Sequence, residues 1–144
     1  MLRFASRLCA KINSWVRFKE ERLQAQLLET SSLLQEMAVQ FEAICRDVAG
    51  IEPTMTRVSD PVEGESGVHL DKRAFDCRDE FAPNQFLFTP SQRDEITKKM
   101  NELYPRNDGK KTCIHHSFRG APHHFHIQVA PNEGVYARKK DNHV

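Results

Sequence analysis

The first fifty residues restrict the fold of this 144-residue chain more than any other feature, because they contain no proline and no glycine before Gly50. Leu, Gln, Glu, Ala, Arg and Lys predominate there, and all of them favour the α-helix. Gly50, followed closely by Pro53, is a typical stop signal for a helix. The sequence therefore predicts that residues 1–50 are helical.

Within this segment, apolar side chains recur at alternating intervals of four and three residues. The positions are Leu23, Leu27, Leu34, Met37, Phe41, Ile44 and Val48, with Thr30 at the one polar position. This heptad pattern, called the seam below, is typical of coiled coils. Two structures remain open. The helix either breaks near residues 13–20 and folds back on the rest of the chain, or binds a second copy or a partner helix through residues 23–48.

The rest of the chain has the pattern of a small mixed domain. Residues 51–66 are rich in Pro, Gly, Ser and Glu, which is typical of a linker. A helix is expected from Thr89-Pro90-Ser91 to Tyr104-Pro105. Strands are expected within residues 68–78, 111–116 and 124–129. We therefore predict an α+β fold: a long N-terminal helical segment (1–50), a linker (51–66) and a small antiparallel-sheet domain with one or two helices (67–144).

Composition excludes several classes of protein. The chain is 39% hydrophobic, with 21 Lys and Arg against 20 Asp and Glu, so its net charge of +1 argues against a nucleic-acid partner. No run of about 18 apolar residues predicts a transmembrane segment. Charged residues interrupt the apolar residues of the first eighteen, so no signal peptide is expected. Four irregularly spaced cysteines favour reduced thiols over a disulfide framework.

Histidines carry the chemical information. Six of the seven lie between residues 69 and 126, and five of those fall within residues 115–126. In His124-Phe125-His126, a strand would point both imidazoles to one face. Neutral imidazole is the commonest protein ligand for zinc, and His69 with Asp76 offers a further imidazole and a carboxylate. We expect His115 and His116 to be structural neighbours.

Two of these segments resemble the zinc motifs of the M15 family of peptidases, the D-alanyl-D-alanine carboxypeptidase and phage endolysin group. Residues 67–76, Gly-Val-His-Leu-Asp-Lys-Arg-Ala-Phe-Asp, resemble the first motif, S-x-H-x-x-G-x-A-x-D. Residues 124–129 are similar to the closing H-x-H strand. The resemblance covers about residues 66–130. It implies that His69, Asp76 and His126 bind Zn²⁺, in an M15-like metallopeptidase domain at 67–144.

The function that this resemblance implies is hydrolysis of amide bonds in peptidoglycan stem peptides, as in a phage-type cell-wall lytic protein. Such a protein would stay in the cytoplasm until release, or ride in a virion. The residue three before the last ligand is often an acidic general base in the family, and here it is His123. His123 and His124 are therefore the candidate catalytic residues, since imidazole can exchange protons near neutral pH. Arg73 and Arg119 are candidates for holding a substrate carboxylate.

Departures from the family pattern leave other functions open. Lys72 stands at the usual glycine of the first motif, Gly67 at its serine, and no acid occupies position 123. One alternative is a structural or virion assembly protein, in which the heptad helix oligomerises and the M15-like domain is a degenerate metal-binding remnant. Another is a metallohydrolase acting on an amide outside peptidoglycan.

Overall fold

The computed structural model describes residues 2–60, 68–69, 71–117 and 120–136, with side chains from residue 7 onward. The helices are α1 (Leu2–Trp15), α2 (Glu21–Leu28), α3 (Ser32–Ala49) and α4 (Pro90–Leu103). The strands are β1 (Arg17–Phe18), β2 (Thr54–Arg57), β3 (Ala74–Arg78), β4 (Glu80–Ala82), β5 (Gln85–Phe86), β6 (Cys113–His116) and β7 (His124–Gln128), and a 3₁₀ turn covers Glu133–Val135. The predicted α+β class is confirmed.

Local signals define the two best-formed helices. The hydroxyl of Ser31 accepts a hydrogen bond from the backbone N–H of Leu34 at the start of α3, and Gly50 ends that helix in the left-handed conformation at φ 67°. Thr89 and Gln92 form a reciprocal capping box at the start of α4. The end of the helical segment at Gly50 and the bounds of α4 agree with the sequence prediction, whereas the start of α3 after Ser31 was not predicted. Among the described residues, no helix combines the length and the apolar character that crossing a membrane requires.

The seam of residues 23–48 lies inside the chain's own core. The helical segment breaks at β1 and again around Thr30, so α3 packs back on the sheet. Leu23, Leu27, Leu34, Met37 and Phe41 are each at most 1% exposed. The ring of Phe41 contacts Phe125 of β7 at 5.2 Å between centroids. The folded-back alternative is therefore the one observed, and the buried side chains of this seam are not available to a second copy or a partner helix, because the chain's own core already covers them.

The main sheet has the strand order β1-β2-β3-β7-β6, with β1 and β2 parallel and the other neighbours antiparallel. Strands β4 and β5 form a small hairpin of their own. Strand β2 lies in the predicted linker, so that prediction is wrong for Thr54–Arg57. Met55 is 1% exposed and anchors this strand in the core. Buried side chains from α1, α2 and α3 and from the sheet join in one hydrophobic cluster, so the helical segment is part of the packed unit.

Successive side chains along β3, β7 and β6 point to opposite sides, so the sheet has two different faces. The side chains facing the helices are apolar or form part of the core cluster; they include Phe75, Cys77, Cys113, Phe125 and Ile127. The four cysteines are free thiols, as expected. The opposite face, called the polar face below, carries Asp76, His116, His124 and His126. Register pairs Asp76 with His126 and His116 with His124 directly across the strands.

We expect Leu34→Ala to lower the free energy of unfolding by about 2–5 kcal/mol, because a buried leucine leaves a cavity in the core. Leu103→Ala is the matched control, since Leu103 is 48% exposed and exposed substitutions usually change stability by less than about 0.5 kcal/mol. Urea unfolding of both variants measures the difference. Equal losses would contradict the burial of the seam against the sheet.

Candidate metal centre

His69, Asp76 and His126 converge on the polar face. Asp76 lies in the middle of β3, His126 lies opposite it in β7, and His69 comes from the turn that precedes β3. Backbone hydrogen bonds from Lys72 to His69 and from Arg73 to Val68 close this turn. His69 is 0% exposed, and Asp76 and His126 are each 6% exposed. The turn and the strand register thus bring together three residues that are distant along the chain.

Distances among the three side chains fit a transition-metal ion. Nε2 of His69 lies 3.4 Å from Oδ2 of Asp76, and Nδ1 of His126 lies 2.8 Å from Oδ1. One donor atom from each residue lies within 4.8 Å of the other two. Ligand atoms of a tetrahedral zinc ion are about 3.3 Å apart. Two imidazoles and one carboxylate could therefore hold a metal ion with little rearrangement.

Outer hydrogen bonds orient both imidazoles toward this point. Nδ1 of His69 donates to the carbonyl oxygen of Val58 at 2.6 Å, which leaves Nε2 facing Asp76. Nε2 of His126 contacts Oε1 of Gln128 at 3.0 Å, while its Nδ1 donates to Oδ1 of Asp76 at 2.8 Å. Metal-binding histidines usually donate their second N–H in this way. A cation at this point would take the place of the protons that these two nitrogens present to Asp76.

Asp76 is an ionised carboxylate in a nearly buried position. Burial alone would raise its pKa, but hydrogen bonds from His126 and His69, together with the charges of His69 and His124, outweigh burial and hold the pKa below its usual range. A buried negative charge needs a positive partner close by. A cation bound between Asp76 and the imidazoles of the surrounding histidines His69, His124 and His126 would supply that positive charge directly.

His124 joins this group on the polar face. Its Nδ1 donates to the carbonyl oxygen of Pro122 at 2.9 Å, and its Nε2 lies 3.6 Å from Oδ2 of Asp76. The ring of His116 lies beside it, 4.7 Å away between centroids. Burial and the charges of His124 and His126 lower the pKa of His116. The structure thus places His124 at the site, where its catalytic role remains a prediction.

His123 lies away from Asp76, beside Glu80 and His115, and its role as a catalytic base stays a prediction that these contacts do not favour. Its Nδ1 contacts Oε1 of Glu80 at 3.0 Å, and its ring stacks on His115 and touches Phe86. Hydrogen bonds from the backbone N–H groups of His123 and Asn84 and from the His123 ring lower the pKa of Glu80 to about 2. Odd positions of this segment point away from the polar face, as Phe125 does, so His123 cannot share the face of His126.

The predicted substrate arginines differ in outcome. Nη1 of Arg73 donates to the carbonyl oxygen of Val129 at 3.2 Å, and its Nη2 contacts Asp71 at 3.4 Å. These contacts tie the turn before β3 to the end of β7, and a role in substrate binding remains a prediction. Arg119 lies outside the described residues.

Sequence reasoning missed Arg57, which the sheet places opposite Asp76. Its Nε and Nη2 donate to the backbone oxygen of Asp60 at 2.9 and 2.7 Å. Met55 faces the core, so strict alternation would send Arg57 to the core as well. A register shift between the two residues moves Arg57 opposite Asp76 instead. No sequence signal marks such an irregularity within four residues.

Sequence reasoning also missed a second polar cluster, which surrounds Asp79. Asp79, which is 0% exposed, accepts a hydrogen bond from the backbone N–H of Phe88. Its Oδ2 contacts Nε of Arg93 at 2.8 Å and Nε2 of His115 at 2.7 Å. This carboxylate joins the end of β3 to α4 and β6. The expectation of a structural role for His115 agrees with these contacts.

Comparisons with protein-family models, with curated proteins and with solved structures found no match to this chain. The chemical interpretation of the site therefore depends on its own geometry.

Lys72 takes the left-handed conformation, at φ 58°, at the position where the family motif has glycine. This conformation costs an L-residue about 1–2 kcal/mol, whereas glycine loses roughly 0.5–1 kcal/mol in backbone entropy. We expect Lys72→Gly to raise the free energy of unfolding slightly, by roughly 0.5–1 kcal/mol. Thermal unfolding measures the stability of this variant. The control is Lys72→Ala, which removes the exposed contact with Glu29 but keeps the backbone strain. A lower stability for the glycine variant would refute the account of this turn.

We expect His126→Ala to abolish tight zinc binding and the stabilisation that accompanies it. At a free zinc concentration 100 times the dissociation constant, binding adds about 2.7 kcal/mol to the stability of the folded state. His123→Ala is the matched control, because this imidazole lies next to Glu80 and away from Asp76. Titration calorimetry and thermal unfolding with and without zinc test both variants. Unchanged zinc binding in His126→Ala would exclude the assigned centre.

Proposed function

We propose that this protein is a zinc-dependent peptidase of the M15 type that hydrolyses amide bonds in peptidoglycan stem peptides. The observation that carries the proposal is the convergence of His69, Asp76 and His126 within ligand distance of one another. The resemblance implied this set, which comes from two segments far apart in the sequence. A phage-type lytic protein, held in the cytoplasm until release or carried in a virion, is the form of this function that we favour.

The donor set suits a catalytic centre. Three protein ligands leave a fourth position of a tetrahedral zinc for water or substrate, as catalytic zinc sites require. When bound, zinc lowers the pKa of its water to about 7 and polarises a carbonyl group. The protein's part is to hold the imidazoles of His69 and His126 in place, through Val58 and Gln128.

His124 is the best-placed residue for proton transfer. The hydrogen bond from Nδ1 to Pro122 leaves Nε2 to accept a proton, and this nitrogen lies 3.6 Å from Asp76. We therefore assign to His124 the catalytic proton transfer for which the sequence offered both His123 and His124. An imidazole base at this position compensates for the missing acid at position 123.

Arg57 is a further candidate for contacting the substrate, through the part of its guanidinium group that does not donate to Asp60. The register puts it opposite Asp76, and its guanidinium group has the planar geometry that matches a carboxylate. Stem peptides carry such carboxylates. Arg73 and Arg119 remain secondary candidates for the same role.

The burial of the seam weighs against the assembly-protein alternative. That alternative required the heptad helix to oligomerise, but the seam of residues 23–48 is packed against the chain's own sheet. The M15-type hydrolase is therefore the function that the described contacts support best.

We expect zinc-loaded protein to release stem-peptide fragments from purified peptidoglycan, and a chelator to abolish the release until zinc is restored. Mass spectrometry of the fragments identifies the bond. His124→Gln should lower kcat by about 10²–10⁴-fold, the usual contribution of a general base, while zinc remains bound. Fully zinc-loaded wild-type protein that leaves peptidoglycan intact would refute the proposed function and favour the assembly alternative.

A further inference from the structure

We propose that the exposed side of α1 docks on an anionic lipid surface, with Arg7 and Lys11 against the headgroups and Trp15 inserted at the boundary between lipid and water. The inference goes beyond the proposed function, because it involves no ligand of the metal centre and needs no bound zinc. It gives a role to the side of α1 that the core does not use.

The first observation is the charge pattern of this part of the chain. Residues 1–19 contain five lysines and arginines and no aspartate or glutamate, although the whole chain is nearly neutral at +1. Arg3, Arg7 and Lys11 recur at intervals of four residues, and Trp15 follows after another four. Positions spaced by four fall on one side of an α-helix. The sequence therefore concentrates positive charge along one side of α1 and places an indole at its end.

The second observation is that the fold leaves this side of α1 open. Leu8 is 6% exposed and Ile12 is 0% exposed, and both belong to the core cluster. Arg7 and Lys11 are exposed, and Trp15 is 44% exposed. Among the described residues, no carboxylate forms an ion pair with Arg7 or Lys11. The helix is thus attached to the protein by its apolar side, and its cationic side is available to a partner.

The third observation is the nature and position of Trp15. Its ring lies under the ammonium group of Lys11, whose Nζ is 5.6 Å from the ring centroid. Indole combines a large apolar ring with one N–H donor, and side chains of this kind prefer the interface between lipid headgroups and water. Contact of so large an apolar ring with water is unfavourable. Insertion at a lipid interface would remove that contact and leave Lys11 among the headgroups.

These features favour a lipid surface over other anionic partners. A membrane is flat on the scale of this 14-residue helix, so all positions of a straight cationic side can contact it at once. Attraction to anionic lipids raises affinity roughly fivefold for each lysine or arginine near the surface. Nucleic-acid binding requires a more extended basic face, which a net charge of +1 does not favour. With so few cations, docking should be weak, reversible and sensitive to salt.

The test is binding of the full-length protein to vesicles of phosphatidylglycerol and phosphatidylcholine, with vesicles of phosphatidylcholine alone as the reference. Trp15 is the single tryptophan of the chain, so its fluorescence reports on this surface directly. We expect its emission to shift to shorter wavelength on the anionic vesicles only, and lipids with brominated tails to quench it. Added salt should reverse both effects, because it screens the attraction.

Paired substitutions separate docking through α1 from general attraction of a positive charge. Arg7→Gln combined with Lys11→Gln should lower the vesicle partition coefficient roughly 25-fold, since each cation contributes about fivefold. Lys98→Gln combined with Lys99→Gln is the matched control. It removes the same charge from α4, where each lysine already lies near a glutamate of its own helix. This control should leave partition nearly unchanged, as measured by co-sedimentation with the vesicles.

Trp15→Ala tests the insertion of the indole. This variant should partition more weakly than the wild type while keeping its salt dependence, because the cations remain. Partition equal to that of the wild type would refute insertion. If circular dichroism shows that Trp15→Ala does not fold, quenching of the wild-type emission by brominated lipids decides the question.

Three further results would overturn docking on lipid. One is the absence of co-sedimentation with anionic vesicles at low salt. Another is an equal loss of partition in the two double variants, which would indicate attraction without a defined surface. The third is binding to a DNA duplex without binding to either vesicle, which would assign the cationic side of α1 to a different partner. None of these outcomes involves zinc or peptidoglycan, so they leave the proposed function to its own test.

Discussion

The carboxylate of Asp76 is the group on which the polar face depends. It is 6% exposed and ionised, and a charge in that position is costly unless hydrogen bonds and opposite charge surround it. His126 provides a hydrogen bond from β7, His69 approaches from the turn before β3, and His124 lies on the remaining side. The turn before β3, the strand register and the orientation of the imidazoles all place groups that stabilise this one charge. A cation bound at the carboxylate oxygens of Asp76 would complete the arrangement.

The helical half of the protein supports this site from behind. Phe125 and Ile127 alternate with the histidines of β7 and are fully buried, and the ring of Phe41 from α3 packs against Phe125. A strand with its apolar side fixed in a close-packed core has little freedom on its polar side. Side chains on rigid elements hold ligand geometry more accurately than side chains on loops. The seam of residues 23–48, which has the pattern of an oligomer contact, thus contributes to function by holding the sheet.

Two clusters of histidine and carboxylate lie on opposite sides of the same strands, and their surroundings give them different roles. On the core side, Asp79 is saturated by Phe88, Arg93 and His115, which makes it a link between elements. On the polar side, imidazole nitrogens converge on Asp76, with Val58 and Pro122 holding the outer nitrogens of His69 and His124. Convergent nitrogens with carbonyl partners behind them are the arrangement that binds metal ions. This contrast is the physical reason for placing the proposed ion on the polar face.

The sequence by itself determined the mainly helical character of residues 1–50 with its end at Gly50, the bounds of α4, the strands around residues 113–116 and 124–128, and His69, Asp76 and His126 as candidate ligands. These features depend on caps, on local periodicity and on residue chemistry, all of which are local. Only the tertiary structure decided that the sheet covers the seam, that β2 joins the sheet, and that His124 rather than His123 lies beside Asp76. It also decided that a register shift moves Arg57 opposite Asp76 and that His116 pairs with His124. Periodicity shows which side chains share a face, but only the long-range pairing of strands determines what covers that face.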